Sequence, residues 1–207
     1  MSHENQDHLR QLIAQQAARM MAEDGINDFA YAKKKAGKQL GVSENSVLPT
    51  NAEIEDEIRL YHEIYNADEQ PIELAKLRQT ALLTMQLFER FKPHLTGSVL
   101  DGSAGKFSQT NIHLFADSAK DVEMFLLNQK IPFESSEKSY RVSDKPSKDK
   151  KEKARKTVPV FTLETALGLQ KLSVFDVDDM RVATKRTGDG SNAERADISD
   201  LQALLNI

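Results

Sequence analysis

The chain has 207 residues, 39% of them hydrophobic and 29% charged, with a net charge of −4 and no cysteine. This balance belongs to a globular chain rather than a disordered one, and the lack of cysteine excludes disulfides, thiolate nucleophiles and thiolate metal sites. No apolar run approaches the roughly 20 residues that span a bilayer, and the start MSHENQDH lacks the basic and apolar regions of a secretory signal, so a cytoplasmic protein with no membrane partner is expected.

The first half reads as helix. Leu9, Leu12, Ile13, Ala17, Met20 and Met21 recur at helical spacing, and Gly25 is placed to end that helix. Asn27 is the expected cap of a second helix running to Leu40, where Gly41 stops it. Asn51 is the expected cap of a third, with Ile54, Ile58, Tyr61 and Tyr65 on one stripe. The acids Glu53, Glu55, Asp56 and Glu57 occupy its first turns, where the positive end of the helix dipole favours them, which implies a structural role. Pro71 suits a first helical turn. Leu74, Leu77, Ala81, Met85 and Phe88, flanked by Leu82, Leu83, Leu87 and Phe91, form a stripe wide enough to predict burial on more than one side before Pro93 ends it.

After Pro93 the period shifts toward two. Thr110 to Phe115 alternates as a strand, and a helix from Ser118 to Gln129 follows, capped by Asp117 or Ser118. Short strands are predicted at Ile131 to Phe133, Lys138 to Val142, Val158 to Leu163 and Leu169 to Phe175, and a last helix starts at the cap Asp197. The predicted fold is α+β: a helical region over residues 1–93, packed on a small mixed sheet with flanking helices over residues 94–207. Between Lys145 and Lys156 seven basic residues face two acids, a net +5 that leaves −9 for the rest. That segment has no apolar residue and reads as a flexible basic loop over about 143–157, either a solvated insertion or a phosphate contact; without aromatics it lacks a base-stacking surface.

The stretch TGSVLDGSAGKFSQTNIHLF, Thr96 to Phe115, carries the functional argument. A Gly-Ser turn exposes backbone N–H groups suited to a phosphate, and the strand beyond it places residues at i and i+2 on one face. Gly97-Ser98 followed by Ser108-Gln109-Thr110-Asn111-Ile112 resembles the nucleotidyltransferase superfamily, the polymerase-beta-like fold. The resemblance covers about Leu95 to Phe115. It implies a nucleotide site at Gly97, Ser98, Gln109, Asn111 and His113, and two magnesium ions held by an Asp-hydrophobic-Asp strand and a third acid on a later strand. Here Gln109 and Asn111 stand where the two acids are expected, and the strand near Leu169 to Phe175 offers Lys171 for the third. Neutral amides and an ammonium are poor magnesium ligands, so neither a catalytic nor a metal-ligating residue is assigned, and no cofactor is expected unless a displaced site binds Mg2+.

The reading is therefore a nucleotide-binding or phosphate-binding protein, or a scaffold for a partner protein, with a degenerate transferase site. An active nucleotidyltransferase is the alternative, its metals displaced onto Asp101, Asp117, Asp176, Asp178 or Asp179, although each acid has an ordinary role as a cap, turn or loop residue. A second alternative is a DNA-binding regulator, because AGKQLGVSENSV from Ala36 resembles a helix-turn-helix turn, with Lys33, Lys34, Lys35 and Lys38 before it. Against DNA, a recognition helix from Ser43 meets Pro49 within about two turns, and the Glu53 to Glu57 acids follow. His3, His8, His62 and His94 form no close liganding pair, and His113 alone lies in the suspected cleft.

Overall fold

In the computed structural model the residues described are 3–42, 47–142, 155–166, 168–185 and 192–207. They form seven α-helices and five strands in two compact units, the first comprising Met1–Leu74 with Ser103–Ser108 and the second Ala75–Gly102 with Gln109–Ile207. No helix among them is long and apolar enough to cross a membrane.

The first unit is built on α1 (His3–Glu23), α2 (Phe29–Gln39) and α3 (Asn51–Tyr65). Ile13, Ala14, Ala17, Ala18 and Met20 of α1 share one core with Ala32 and Ala36 of α2 and Ile54 and Ile58 of α3. The small alanines of this stripe leave room for close backbone approach, while Leu12, expected on the same stripe, is exposed. The α2 cap is Asp28 rather than Asn27: the Asp28 carboxylate accepts from Tyr31 N at 2.9 Å, and Asn27 donates to Gly25 O instead. The helix ends as its glycine predicts. Gly41 takes φ 74°, Gly41 N donates to Lys38 O, and Val42 N reaches back to Gly37 O at 2.8 Å, which closes a Schellman motif.

Likewise, Thr50 and not Asn51 caps α3. Its hydroxyl accepts from Glu53 N at 3.2 Å while the Glu53 carboxylate accepts from Thr50 N, a reciprocal capping box. Arg10 adds a two-pronged contact to Glu53 at 2.7 and 2.8 Å, and these hydrogen bonds hold the Glu53 carboxyl at about 2. The segment Ser103–Ser108 completes this unit. A Cβ on Gly105 would lie 2.7 Å from Cε1 of the His62 ring, and one on Gly25 would lie 3.2 Å from Phe107 Cγ. Gln70 Nε2 donates to Ala104 O at 2.8 Å.

α4 (Gln70–Leu87) begins in the first unit and continues into the second, with Pro71 in its first turn. It buries Leu77, Ala81, Leu82 and Met85, but Leu83 is 67% exposed, so the apolar stripe is wider than the face it covers. A 3₁₀ turn at Glu89–Phe91 and Lys92 at φ 47° end it before Pro93. The second unit then forms β1 (His94–Thr96), α5 (Ser98–Asp101), β2 (Thr110–Phe115), α6 (Ala119–Asn128), β3 (Glu134–Arg141), β4 (Arg155–Thr165), β5 (Gly168–Phe175) and α7 (Ile198–Leu205).

The five strands make one mixed sheet in the order β1-β2-β5-β4-β3, with β2 and β5 parallel and the other pairs antiparallel. Ile112, Leu114, Leu172 and Val174 are buried on one face; Asn111, His113 and Phe115 alternate with them on the other, beside Lys171, Ser173 and Phe175. The two short strands expected at Ile131 to Phe133 and Lys138 to Val142 are replaced by the single strand β3, whose residues are exposed except for half-buried Tyr140. Ser118 caps α6, and Asp197 with Asp200 forms a capping box on α7.

Candidate functional site

β1 ends at Thr96, and the chain turns at Gly97 with φ 78° and ψ −157°, a conformation that glycine adopts without steric cost. Leu100 N and Asp101 N close back onto Gly97 O at 2.9 and 3.0 Å, so Ser98 opens the single turn of α5. Thr96 is in register with Asn111, and a Cβ on Gly97 would lie 3.5 Å from Asn111 Nδ2. Asn111 donates to Gln109 O at 3.3 Å. The structure thus gathers Gly97, Ser98, Gln109 and Asn111 at one edge of the sheet.

The parallel pairing of β2 with β5 puts Lys171 directly beside Asn111, and β4 puts Thr162 beside Lys171. The register row Thr96, Asn111, Lys171, Thr162, Glu134 runs across all five strands on one face. Lys171 is half-buried and has no ion pair among the described residues; burial, and then the like charge of Lys138, pushes its ammonium below the usual range. Divalent magnesium needs anionic oxygen ligands in a near-octahedral set, and two amides beside an ammonium do not supply them.

The acids weighed as a displaced set are dispersed. Asp101 is the last residue of α5, while Asp117 is exposed between β2 and α6. Asp176 and Asp179 both pair with Lys156, and they close a capping box on the 3₁₀ turn Val177–Arg181. Among the described residues no three His, Cys, Asp or Glu side chains gather in a way that would hold a metal ion.

His113 occupies the next row, in register with His94 and Ser173. It is only 2% exposed, with its ring 4.6 Å from Phe175 and 5.3 Å from Tyr140, so it lies beneath aromatic side chains instead of lining the open edge. Its Nδ1 has no hydrogen-bond partner among the described residues. Burial, reinforced by the charges of Arg195, Lys138 and His94, pushes it down to about 3, and the ring is neutral at physiological pH.

Three residues the sequence did not single out complete this face. The Tyr140 hydroxyl is 2.7 Å from Ser173 Oγ, Lys138 Nζ lies 4.8 Å from the Tyr140 ring centroid, and the Arg195 guanidinium stacks 5.2 Å from Phe115 and 5.8 Å from Phe175. Tyr140 and Lys138 alternate along a strand without apolar periodicity, and Arg195 sits in the polar run SNAERAD, so neither carried a pattern to find it by.

Two other expectations fall largely outside the described residues. Of the basic loop expected over about 143–157, residues 143–154 are not described, whereas Arg155, Lys156 and Thr157 already belong to β4. The turn Ser43 to Ser46 of the helix-turn-helix resemblance is also outside them. Of its basic residues, Lys33 donates to Pro49 O at 2.7 Å and to Asn51 Oδ1 at 2.8 Å. No known protein family, curated protein or solved structure matches this chain.

Proposed function

We propose that this chain is a nucleotidyltransferase-like protein that binds a nucleotide or a related phosphate ligand at the Gly97 to Asn111 edge and performs no metal-dependent transfer. The observation that carries this reading is the pairing of Asn111 with Lys171 beside the Gly97 turn. A Gly-Ser turn suits a phosphate because glycine puts no side chain over the backbone, and the residues next to it are neutral or cationic at the positions where the resembling family carries acids. With no carboxylate pair to hold magnesium, the ligand is retained and not turned over, and a partner protein that reads the bound state gives such a scaffold its use.

Calorimetric titration of the protein with ATP, CTP, GTP and UTP, each with and without magnesium, tests the reading. Binding of at least one nucleotide without magnesium supports it. Strict dependence on magnesium points to a surviving metal site and an active transferase, and no binding in either condition removes the reading. Replacing Gln109 and Asn111 with Asp sharpens the test, since restoring two carboxylates at the family's spacing is expected to raise magnesium affinity.

A further inference from the structure

Ser103–Ser108 joins the helical unit from a distance in sequence, and it docks there over a histidine. Ser103, Ala104 and Gly105 are buried, whereas Lys106 and Phe107 are exposed. Gly105 N donates to Ser108 Oγ and Ser108 N to Gly105 O, which closes a tight turn around Lys106. His62 of α3 is 7% exposed and lies so close to Gly105 that a Cβ there would stand 2.9 Å from its Nε2. Its other nitrogen, Nδ1, is 3.1 Å from Asn66 Nδ2, so the neutral ring accepts from the Asn66 amide and carries its proton on Nε2, a tautomer assigned by that bond. The same loop ties down the segment, because Gln70 N donates to Asn66 O and Gln70 Nε2 to Ala104 O. The titratable groups on the surrounding elements are Tyr61, 6.1 Å away edge-on with its hydroxyl donating to Glu23 of α1, exposed Lys106 stacked on Phe107, and Glu69 and Glu73 on either side of Gln70 in sequence.

We propose that His62 and Ser103–Ser108 form a proton-operated latch, in which a proton taken up by His62 releases the segment from the helical unit. A protonated imidazole has a donor on both nitrogens, so Nδ1–H would face the Asn66 amide donor against donor. A positive charge would also lie beneath buried Ala104 and Gly105, where burial already pushes the imidazole below its usual range. Lifting the segment returns the ring to water and relieves both conflicts, at the loss of the Gln70 to Ala104 hydrogen bond and the Phe107 contact on Gly25. The docked ring has the lowered value and the released ring its ordinary 6.5, so docking is at full strength above pH 6.5 and weakens as pH falls below it. Because the segment runs from α5 into β2, its release also frees the connection between the Gly97 turn and the strand that carries Asn111. The latch needs no ligand and stands apart from the phosphate reading.

The test is amide hydrogen exchange of the full chain at pH 7.5 and pH 5.5, with rates corrected for the pH dependence of the exchange chemistry itself. It is read by mass spectrometry on peptides spanning residues 103–108 and, for reference, on peptides from the buried stretch of α1, in the wild type, His62→Gln, His62→Asn and His113→Leu. Protection of the wild-type segment is expected to fall by more than about twofold and up to about tenfold, the most that one proton allows over the unit of pH below 6.5, while α1 changes less. His62→Gln cannot titrate, so its segment is expected to hold its protection within about twofold between the two pH values, and His62→Asn serves the same purpose should glutamine disturb the helix. His113→Leu is expected to keep the wild-type change, because His113 belongs to the other unit. The latch is overturned if the wild-type segment keeps its protection at pH 5.5, if the fall persists in both His62 variants, or if it vanishes in His113→Leu. An equal fall in α1 also overturns it, since the whole unit would then be opening rather than the segment alone.

Discussion

In the helical unit, half-buried Thr50 and Glu53 bond each other, half-buried Arg10 grips Glu53 with two nitrogens, and buried His62 meets Asn66 through Nδ1 at 3.1 Å. In the sheet unit, six buried polar atoms have none among the described residues. They are His113 Nδ1, both amide atoms of Gln170, Thr184 Oγ1, and Nε and Nη2 of Arg195. Each such atom costs about 1–3 kcal/mol if left dry, so a domain selected for stability alone would not concentrate them. Of these, His113 and Arg195 lie on the face that holds Lys171, Lys138 and Asn111, whereas Gln170, in register with Thr110, lies on the other.

The comparison breaks most severely in the helical core. Ile54 is fully buried, and Ile54→Ala is expected to cost about 2–5 kcal/mol through lost transfer energy and an unfilled cavity, read from the midpoint of urea denaturation. Next comes Gly105→Ala: its methyl would press on the buried His62 ring, an overpacking expected to cost about 1–3 kcal/mol in the same assay. Thr50→Ala removes the side-chain half of the capping box and is expected to cost about 1 kcal/mol.

The smallest effect at neutral pH is expected at His113, although it is as buried as many core residues. His113→Leu deletes an unpartnered polar atom and keeps an apolar side chain of similar volume, so stability is expected within about 1 kcal/mol of wild type. A loss as large as that of Ile54→Ala would erase the distinction between the units. Acid sharpens it further. The folded-state value of His113, about 3, lies below its ordinary 6.5, so as pH falls through 6.5 the unfolded chain takes up a proton that the folded chain refuses. Wild-type stability should therefore decline progressively from pH 6.5 toward 3. Thermal midpoints of His113→Leu over the same range should fall less.

Much of the secondary structure was legible where a residue type has one strong local use. Gly41 stops α2, Ser118 and Asp197 cap their helices, and the alternation of Thr110 to Phe115 marks β2 with its observed bounds. Caps at Asn27 and Asn51 were misplaced by one residue, because a neighbouring Asp or Thr has the same chemistry and the backbone decides between them. β3 was only partly legible: the sequence ESSEKSYR has no buried face to create a period, and its pairing with β4 is a long-range choice. At the candidate site, the neighbourhood of Gly97, Asn111 and Lys171 could be read from turn chemistry and strand period. The burial of His113 and the stacking of Arg195 could not, since both follow from Phe115, Phe175 and Tyr140 converging from three strands.

The segment Ser103–Ser108 has a consequence for how this chain is made. It lies about thirty residues beyond the rest of the helical unit in sequence, yet it lays Phe107 on Gly25, Gly105 on His62 and Ala104 on Gln70. A ribosome that has released only the first 93 residues has exposed four helices without the piece that covers His62. The unit is complete only when residue 108 emerges, by which time β1 and the Gly97 turn are already out. A fragment cut at the end of the helices should accordingly be less stable than the same residues in the whole protein, with solvent reaching the His62 ring.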